Sequence, residues 1–240
     1  MKNFIIDLGN TSSKLGIFEN EILTEKLGNI SLEKLVKKIN TEIPNNLMIG
    51  SVSGDVSLIT EKIDKKVNFL SLNHKTKLPI TNNYSTKKTL GVDRIAAVVG
   101  ANKIHPNKNS LVVDSGTCIT YDFIDKNSIY HGGGIAPGIH MKLRAVHEFT
   151  TQLPLVSPKN NVPLIGKTTE ASILSGVLNG TIAEINEMIR MYASKYANLQ
   201  IIICGGDADF YKNKLKGNVT FVPDLVLIGL NRILTYNVEN

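Results

Sequence analysis

The chain has no tryptophan, only two cysteines and no uninterrupted apolar run of membrane-spanning length. Cys118 and Cys204 stand in separate apolar runs without Cys-x-x-Cys spacing. That excludes a disulfide scaffold, gives no zinc-ligand pattern and makes both read as small buried residues. A membrane helix needs about 18 apolar residues or more, and a secretory leader needs a basic start, an apolar core and a small-residue cleavage site. Neither pattern is found, so the protein is expected in the cytoplasm, away from the membrane. A massed block of one charge is also missing. The formal charge is +6, but the lysines are scattered and do not interleave with aromatics as in nucleic-acid binders. The balance suits a phosphate-bearing small molecule, and no nucleic-acid partner is expected.

With 42% hydrophobic and 20% charged residues over 240 positions, the composition is that of a folded enzyme-sized chain, long enough for two compact lobes. The most informative feature is an internal echo. Phe4-Ile5-Ile6-Asp7 runs into Leu8-Gly9-Asn10-Thr11, and Leu111-Val112-Val113-Asp114 runs into Ser115-Gly116-Thr117. The two aspartates stand about one domain length apart, which points to duplicated lobes rather than short repeats. In each copy the chain resumes as a second strand, Lys14 to Phe18 and Cys118 to Phe123. A turn then leads to third strands starting at Ile22 and Ile129.

Helices are expected over 31–40, with Ser31 as N-cap and Leu32, Leu35, Val36 and Ile39 on one face, and over 92–103. A long helical pattern covers about 169–196, and another follows Pro223 over 224–235. Gln200 to Cys204 reads as a buried strand ending in Gly205-Gly206, with a helix opening behind it. The fold class is therefore α/β with two lobes, 1–108 and 109–240, divided near the turn-rich stretch His105 to Asn109.

Asp7-Leu8-Gly9-Asn10-Thr11-Ser12-Ser13-Lys14 is the first candidate site. Glycine at a strand end lets successive N–H groups and hydroxyls face a phosphate, and a carboxylate there can hold Mg²⁺ through water. An ordinary hairpin with an Asx cap is the bland alternative, weakened by the second copy at Asp114-Ser115-Gly116-Thr117. Gly205-Gly206-Asp207-Ala208 permits close approach of a base or ribose, or is simply a strand-to-helix connection. Gly91-Val92-Asp93-Arg94 opens a helix of small residues; either Asp93 caps it with Arg94 on the solvent side, or Asp93 is the base that phosphoryl transfer to a hydroxyl needs. Gly132-Gly133-Gly134-Ile135-Ala136-Pro137-Gly138 must bring backbone close to a ligand or to the next strand. Three partial matches fail. The triple glycine lacks a dinucleotide fingerprint, Gly166-Lys167-Thr168 has Asn161 where a Walker loop needs glycine, and His147-Glu148 has Thr151 where a zincin needs histidine.

These residues, taken in order, resemble the type III pantothenate kinases of the acetate-and-sugar-kinase/Hsp70/actin superfamily. The likeness is carried by Asp7-x-Gly9-Asn10-Thr11, Tyr84 with Gly91-x-Asp93-Arg94, Asp114-x-Gly116-Thr117, Gly133-x-Ile135-x-Pro137-Gly138, Leu153-Pro154, Gly166-x-x-Thr169 and Gly205-Gly206-Asp207-Ala208. It implies two ribonuclease H-like lobes of the duplicated actin-like ATPase fold. It further implies that Asp7, Leu8, Gly9, Asn10, Thr11, Ser12, Ser13 and Lys14 hold the ATP phosphates, with Mg²⁺ accompanying the nucleotide and Thr117 adding a contact. Asp114 would help bind a monovalent cation, K⁺ or NH₄⁺. Tyr84, Gly91, Val92, Asp93, Arg94 and Thr169 match the family's pantothenate-contacting positions, with Asp93 as proton acceptor. The resemblance also implies a homodimer in which Thr169 is lent to the partner's site. Cys118 stands where alanine is usual, a small-for-small change.

Other readings compete: a kinase of the same superfamily acting on a sugar, and a non-catalytic accessory protein that uses an old nucleotide site for regulation. The Tyr84 and Gly91-to-Arg94 cluster argues against the first, and the presence of Asp7, Asp93 and Asp114 argues against the second. Gly176 and Gly180 stand four apart within the third helical pattern, with Ser172 and Ala183 extending a small-residue face. That face is expected either to pack within its own lobe or to meet a second subunit.

Overall fold

The computed structural model describes residues 1–9, 13–51 and 56–239. They form two compact units. The first comprises Met1–Asn107, Ile124–Gly132 and the segment from Asp224 onward; the second comprises Lys108–Phe123 and Gly133–Pro223.

The first unit is built on a five-stranded sheet. Its strands are β1 (Lys2–Leu8), β2 (Ser13–Glu19), β3 (Ile22–Gly28), β4 (Asn46–Ser51) and β5 (Asn68–Ser71), in the order β3-β2-β1-β4-β5. β1 pairs antiparallel with β2 and parallel with β4. Phe4, Ile5 and Ile6 of β1 and Leu47, Met48 and Ile49 of β4 are fully buried. Such unbroken apolar runs are what a sheet covered on both faces requires. Helix α1 (Leu32–Glu42) starts at Ser31, whose hydroxyl accepts from the Lys34 N–H, and buries Leu35 and Ile39. A short α2 (Ser57–Thr60) follows β4.

Helix α3 (Val92–Ile104) is buried along Arg94 to Ala101 and packs on α7 (Leu225–Glu239) at backbone distance. A Cβ at Gly229 would lie 1.8 Å from the Ala96 carbonyl oxygen, and one at Gly100 would lie 2.5 Å from that of Leu225. Only glycine allows this approach. It explains why the segment from Asp224 onward groups with the first unit, whereas a division at 108/109 assigns it to the second lobe.

A directed chain of asparagine amides crosses the first unit. Asn68 Nδ2 donates to Asn46 Oδ1 (2.8 Å), Asn46 Nδ2 to Asn3 Oδ1 (2.9 Å) and Asn3 Nδ2 to Asn231 Oδ1 (2.9 Å). Asn231 Nδ2 ends the chain on the Asn20 carbonyl (3.1 Å). Asn3, Asn46 and Asn231 are buried, so each link satisfies a group that would otherwise be costly, and the pattern fits only one strand register.

The second unit repeats the plan. Strands β7 (Ser110–Ser115), β8 (Cys118–Ile124), β9 (Ile129–Pro137), β10 (Gln200–Cys204) and β11 (Val219–Phe221) have the order β9-β8-β7-β10-β11. This is the third-second-first-fourth-fifth order of the first sheet, as duplication predicts. The start of β9, which belongs to the first unit, adds β6 (Thr81–Asn82) in parallel. α4 (Ile139–Glu148) follows β9, and the expected long helix is α5 (Thr169–Leu174), a π-helical turn (Ser175–Asn179) and α6 (Gly180–Lys195) without a break. The helix expected behind Gly206 is only a single 3₁₀ turn, Ala208–Tyr211. Each unit has its own core, one around Phe4, Leu15, Leu35 and Leu47, the other around Leu111, Tyr121, Ile185 and Tyr211. The architecture is α/β with two ribonuclease H-like lobes of the duplicated actin-like ATPase fold.

Candidate active site

In the first unit, Asp7 sits near the end of β1, directly across from Lys14 in the β1–β2 register. Leu8, Gly9 and Ser13 complete the described part of this loop; Asn10, Thr11 and Ser12 lie outside the described residues. Burial pushes the Asp7 carboxyl up to about 6, the Lys14 ammonium pulls it down, and the Asp93 carboxylate pushes it up. Asp93, in the first turn of α3, is thus near enough to the end of β1 for its charge to reach Asp7. Asp93 Oδ1 accepts from the Arg94 N–H at 2.8 Å. A Cβ at Gly91 would stand 2.4 Å from that same Oδ1, so glycine before Val92 lets the carboxylate fold back over the helix start.

Arg94 is buried rather than on the solvent side, with its guanidinium carbon 5.7 Å from the Tyr84 ring centre. Buried arginine heads are stabilised by aromatic faces. Tyr84 stacks on Tyr130 with centroids 6.2 Å apart and planes 11° from parallel. Gly132, at φ +91°, lies against the Tyr84 ring, where a Cβ would approach to 3.0 Å. Tyr130 and Gly132 thus support Tyr84. The glycine run signals that backbone approaches something there, whereas no sequence pattern marks Tyr130.

In the second unit, Asp114 is half-buried, Ser115 is buried and Thr117 is exposed. Gly138 packs on this loop, since a Cβ there would lie 2.1 Å from the Gly116 carbonyl oxygen. Gly133 packs likewise on the neighbouring strand, where a Cβ would lie 1.5 Å from the Tyr121 carbonyl oxygen, so the glycine run serves strand contact at that point. Gly205 has φ +92°, and a Cβ on it would strike the Ser115 carbonyl oxygen at 2.2 Å and Asp114 Oδ1 at 2.3 Å. The paired glycines after β10 therefore close directly onto the Asp114-to-Thr117 loop. Asp207 N–H donates to the Ser115 carbonyl at 3.0 Å, and its buried Oδ2 has no hydrogen-bond partner among the described residues. Burial raises the Asp207 pKa, against the pull of His140.

Thr169 is exposed at the first position of α5, behind the Thr168 cap that accepts from the Ala171 N–H. Gly176 and Gly180 are exposed, and among the described residues nothing lies within 4 Å of where a Cβ would stand, so these two positions are open. His147, on the last turn of α4, is hydrogen-bonded through Nδ1 to the Leu153 carbonyl oxygen, in keeping with a polar helix-face residue.

The model of the type III pantothenate kinase family matches residues 3–191. The chain belongs to this family. A type III pantothenate kinase from Cytophaga hutchinsonii is 40% identical over 98% of this chain and 100% of its own length. One from Phocaeicola vulgatus is 42% identical over 98% of each. Among solved structures, a Campylobacter jejuni protein described as a Baf family transcriptional activator superposes with a TM-score of 0.67 at 22% identity, covering 99% of this chain and all of that one. At that identity the likeness is one of fold. Type III pantothenate kinases are enzymes that use ATP, and with it a divalent metal. The residues suit such an ion. Asp7 puts a carboxylate at the phosphate loop, and the Asp93 carboxylate is near enough for its charge to reach it. Magnesium is commonly held in this way, by one or two carboxylates together with substrate phosphates. Among the described residues no helix is long and apolar enough to cross a membrane.

Proposed function

We propose that the protein transfers the terminal phosphoryl group of ATP to the pantoyl hydroxyl of pantothenate, giving 4′-phosphopantothenate, the first step of coenzyme A biosynthesis. The observation that carries this reading is the Asp7–Asp93 pair. The strand-end carboxylate of the phosphate loop and the first-turn carboxylate beside Arg94 and Tyr84 are close enough for one to raise the other's pKa. In this reading a phosphate-side carboxylate and an acceptor-side carboxylate lie within electrostatic reach of each other in one unit.

In this reading the segment Asp7 to Lys14, with Thr117, grips the polyphosphate, and Lys14 offsets its negative charge. Tyr84, Gly91, Val92 and Arg94 hold pantothenate, the Arg94 guanidinium suiting its carboxylate. Asp93 takes the proton of the acceptor hydroxyl as that oxygen bonds to phosphorus and ADP leaves with the electrons of the broken bond. When bound, Mg²⁺ neutralises charge on the phosphates; Asp7 is the residue that would hold it. Asp114 helps bind a K⁺ or NH₄⁺ ion beside the second loop. Two chains associate through the exposed Gly176/Gly180 face, bringing Thr169 to the partner's pantothenate pocket, and the enzyme works in the cytoplasm.

The test is an ADP-release assay with pantothenate, several sugars and acetate offered in parallel. Turnover with pantothenate alone is expected. ADP release independent of pantothenate, or none with any acceptor, would overturn the reading.

A further inference from the structure

Tyr211 takes no part in the chemistry above, yet it is fully buried and its hydroxyl meets Ser115 Oγ at 3.0 Å. Ser115 is the second residue of the Asp114-to-Thr117 motif and the last of β7. Side chains alternate along a strand, so the half-buried Asp114 and the buried Ser115 face opposite ways, Ser115 pointing into the unit. Its carbonyl also turns towards the segment after β10: it accepts from the Asp207 N–H and lies too close to Gly205 for any side chain there. Between Gly205 and Tyr211 the chain makes one 3₁₀ turn, with Ala208 N–H donating to Gly205 and Phe210 N–H to Asp207. Two loops that the sequence marks separately are thus joined at both ends of a seven-residue segment.

We infer that Tyr211 and Ser115 form a latch that holds the Gly205-to-Asp207 turn in fixed register with the Asp114-to-Thr117 loop, making Tyr211 a positioning residue for the nucleotide. The inference rests on the reading of these loops as the nucleoside side and the phosphate side of an ATP site. ATP is one ligand with two ends, and it benefits from both loops only if their separation is already right when it arrives. Inorganic tripolyphosphate has only the phosphate end, so the latch is of no consequence to it. Burial and the nearby Asp207 and Glu184 push the Tyr211 phenol up to about 12, against the pull of the Ser115 hydrogen bond, so it stays protonated across the working pH range.

Tyr211→Phe removes one oxygen and keeps the ring in the core. On the full-length enzyme with Mg²⁺, KM for ATP is expected to rise roughly 3- to 10-fold, the scale of one buried hydrogen bond. kcat at saturating ATP, KM for pantothenate and the inhibition constant of tripolyphosphate should stay within about twofold. Ser115→Ala should raise KM for ATP similarly, and the double variant no further than the single changes. A rise in the tripolyphosphate constant in step with KM for ATP, or a lowered Tm with every kinetic constant unchanged, would reduce the pair to an ordinary core contact and overturn the latch. Calorimetric binding of ATP and of tripolyphosphate to the same proteins reads the effect without any acceptor. A wild type inactive on pantothenate would therefore refute the acceptor assignment while leaving the latch separately decidable.

Discussion

Replacing Asp7 by asparagine should make the unliganded protein more stable and the enzyme inactive. The Asp7 carboxyl titrates at about 6 in the folded chain against an ordinary 3.8, chiefly because it is buried. For a raised carboxyl pKa the sign is fixed: below about pH 3.8 both states hold the proton and there is no cost. Between about 4 and 6 the unfolded chain ionises first, and above 6 the folded state carries the full penalty. At 1.36 kcal/mol per pKa unit that penalty is about 3 kcal/mol, which partial solvent exposure screens to ~2 kcal/mol. Asp7→Asn removes it while nearly conserving shape. Urea unfolding at pH 7.5 should show the variant more stable by ~2 kcal/mol, and at pH 4.5 the gap should shrink to about a third of that. Mg-ATP should raise the Tm of the wild type and not of the variant. A variant less stable than wild type at both pH values would show that the carboxylate gains more than it loses in the fold, refuting the burial argument.

Asp93→Asn should lower kcat by roughly 10²–10⁴ with ATP binding little changed, and near-normal turnover would remove Asp93 from the role of base. Because Asp93 raises the Asp7 pKa, the same variant should move the acidic limb of Mg-ATP binding to lower pH, read by calorimetry between pH 4.5 and 7. If Asp114 helps bind a monovalent cation, turnover should fall steeply when K⁺ is replaced by Na⁺, whereas equal rates would refute that role. Gly180→Leu on the open helical face should yield more monomer and weaker pantothenate binding together, with ATP binding intact; sedimentation velocity with pantothenate titration decides it.

Local chemistry made much of this fold legible. Ser31 ahead of Leu32, Leu35 and Ile39 announces α1, and the isoleucine run at 201–203 announces β10. The repeated Asp-x-Gly motif announces the duplication that the two sheet orders display. Elements held mainly by tertiary contact were not. α4 buries only Ile139 and Leu143 and starts directly behind Pro137-Gly138, a stretch that reads as loop, and β5, β6 and β11 are too short for alternation to show. The turn after Gly206 stops short of an α-helix while Tyr211 engages Ser115. At the candidate site, spacing leads to Asp7, Asp93 and Asp114. The burial of Arg94, the stacking of Tyr130 on Tyr84 and the Gly91 clearance over Asp93 depend on residues that meet only in space.

The pairing of α3 with α7 has a consequence for how the chain emerges from the ribosome. Residues 108–123 and 133–223, which make up the second unit, are synthesised between the first sheet and the helix that covers it. At about 5–20 residues per second, Ile5, Met48 and their neighbours on the sheet face where Leu230 meets Gly50 must wait roughly ten seconds for α7, whose Gly229 also fits against Ala96. During that interval the buried face of α3 has no helix to lie on, whereas the second unit already has every strand and helix it needs. Ribosome-bound chains should therefore show protection of residues 133–223 before that of residues 1–107. A protease cut or a stalled ribosome between Pro223 and Leu225 would leave the older half of the protein as the unfinished one.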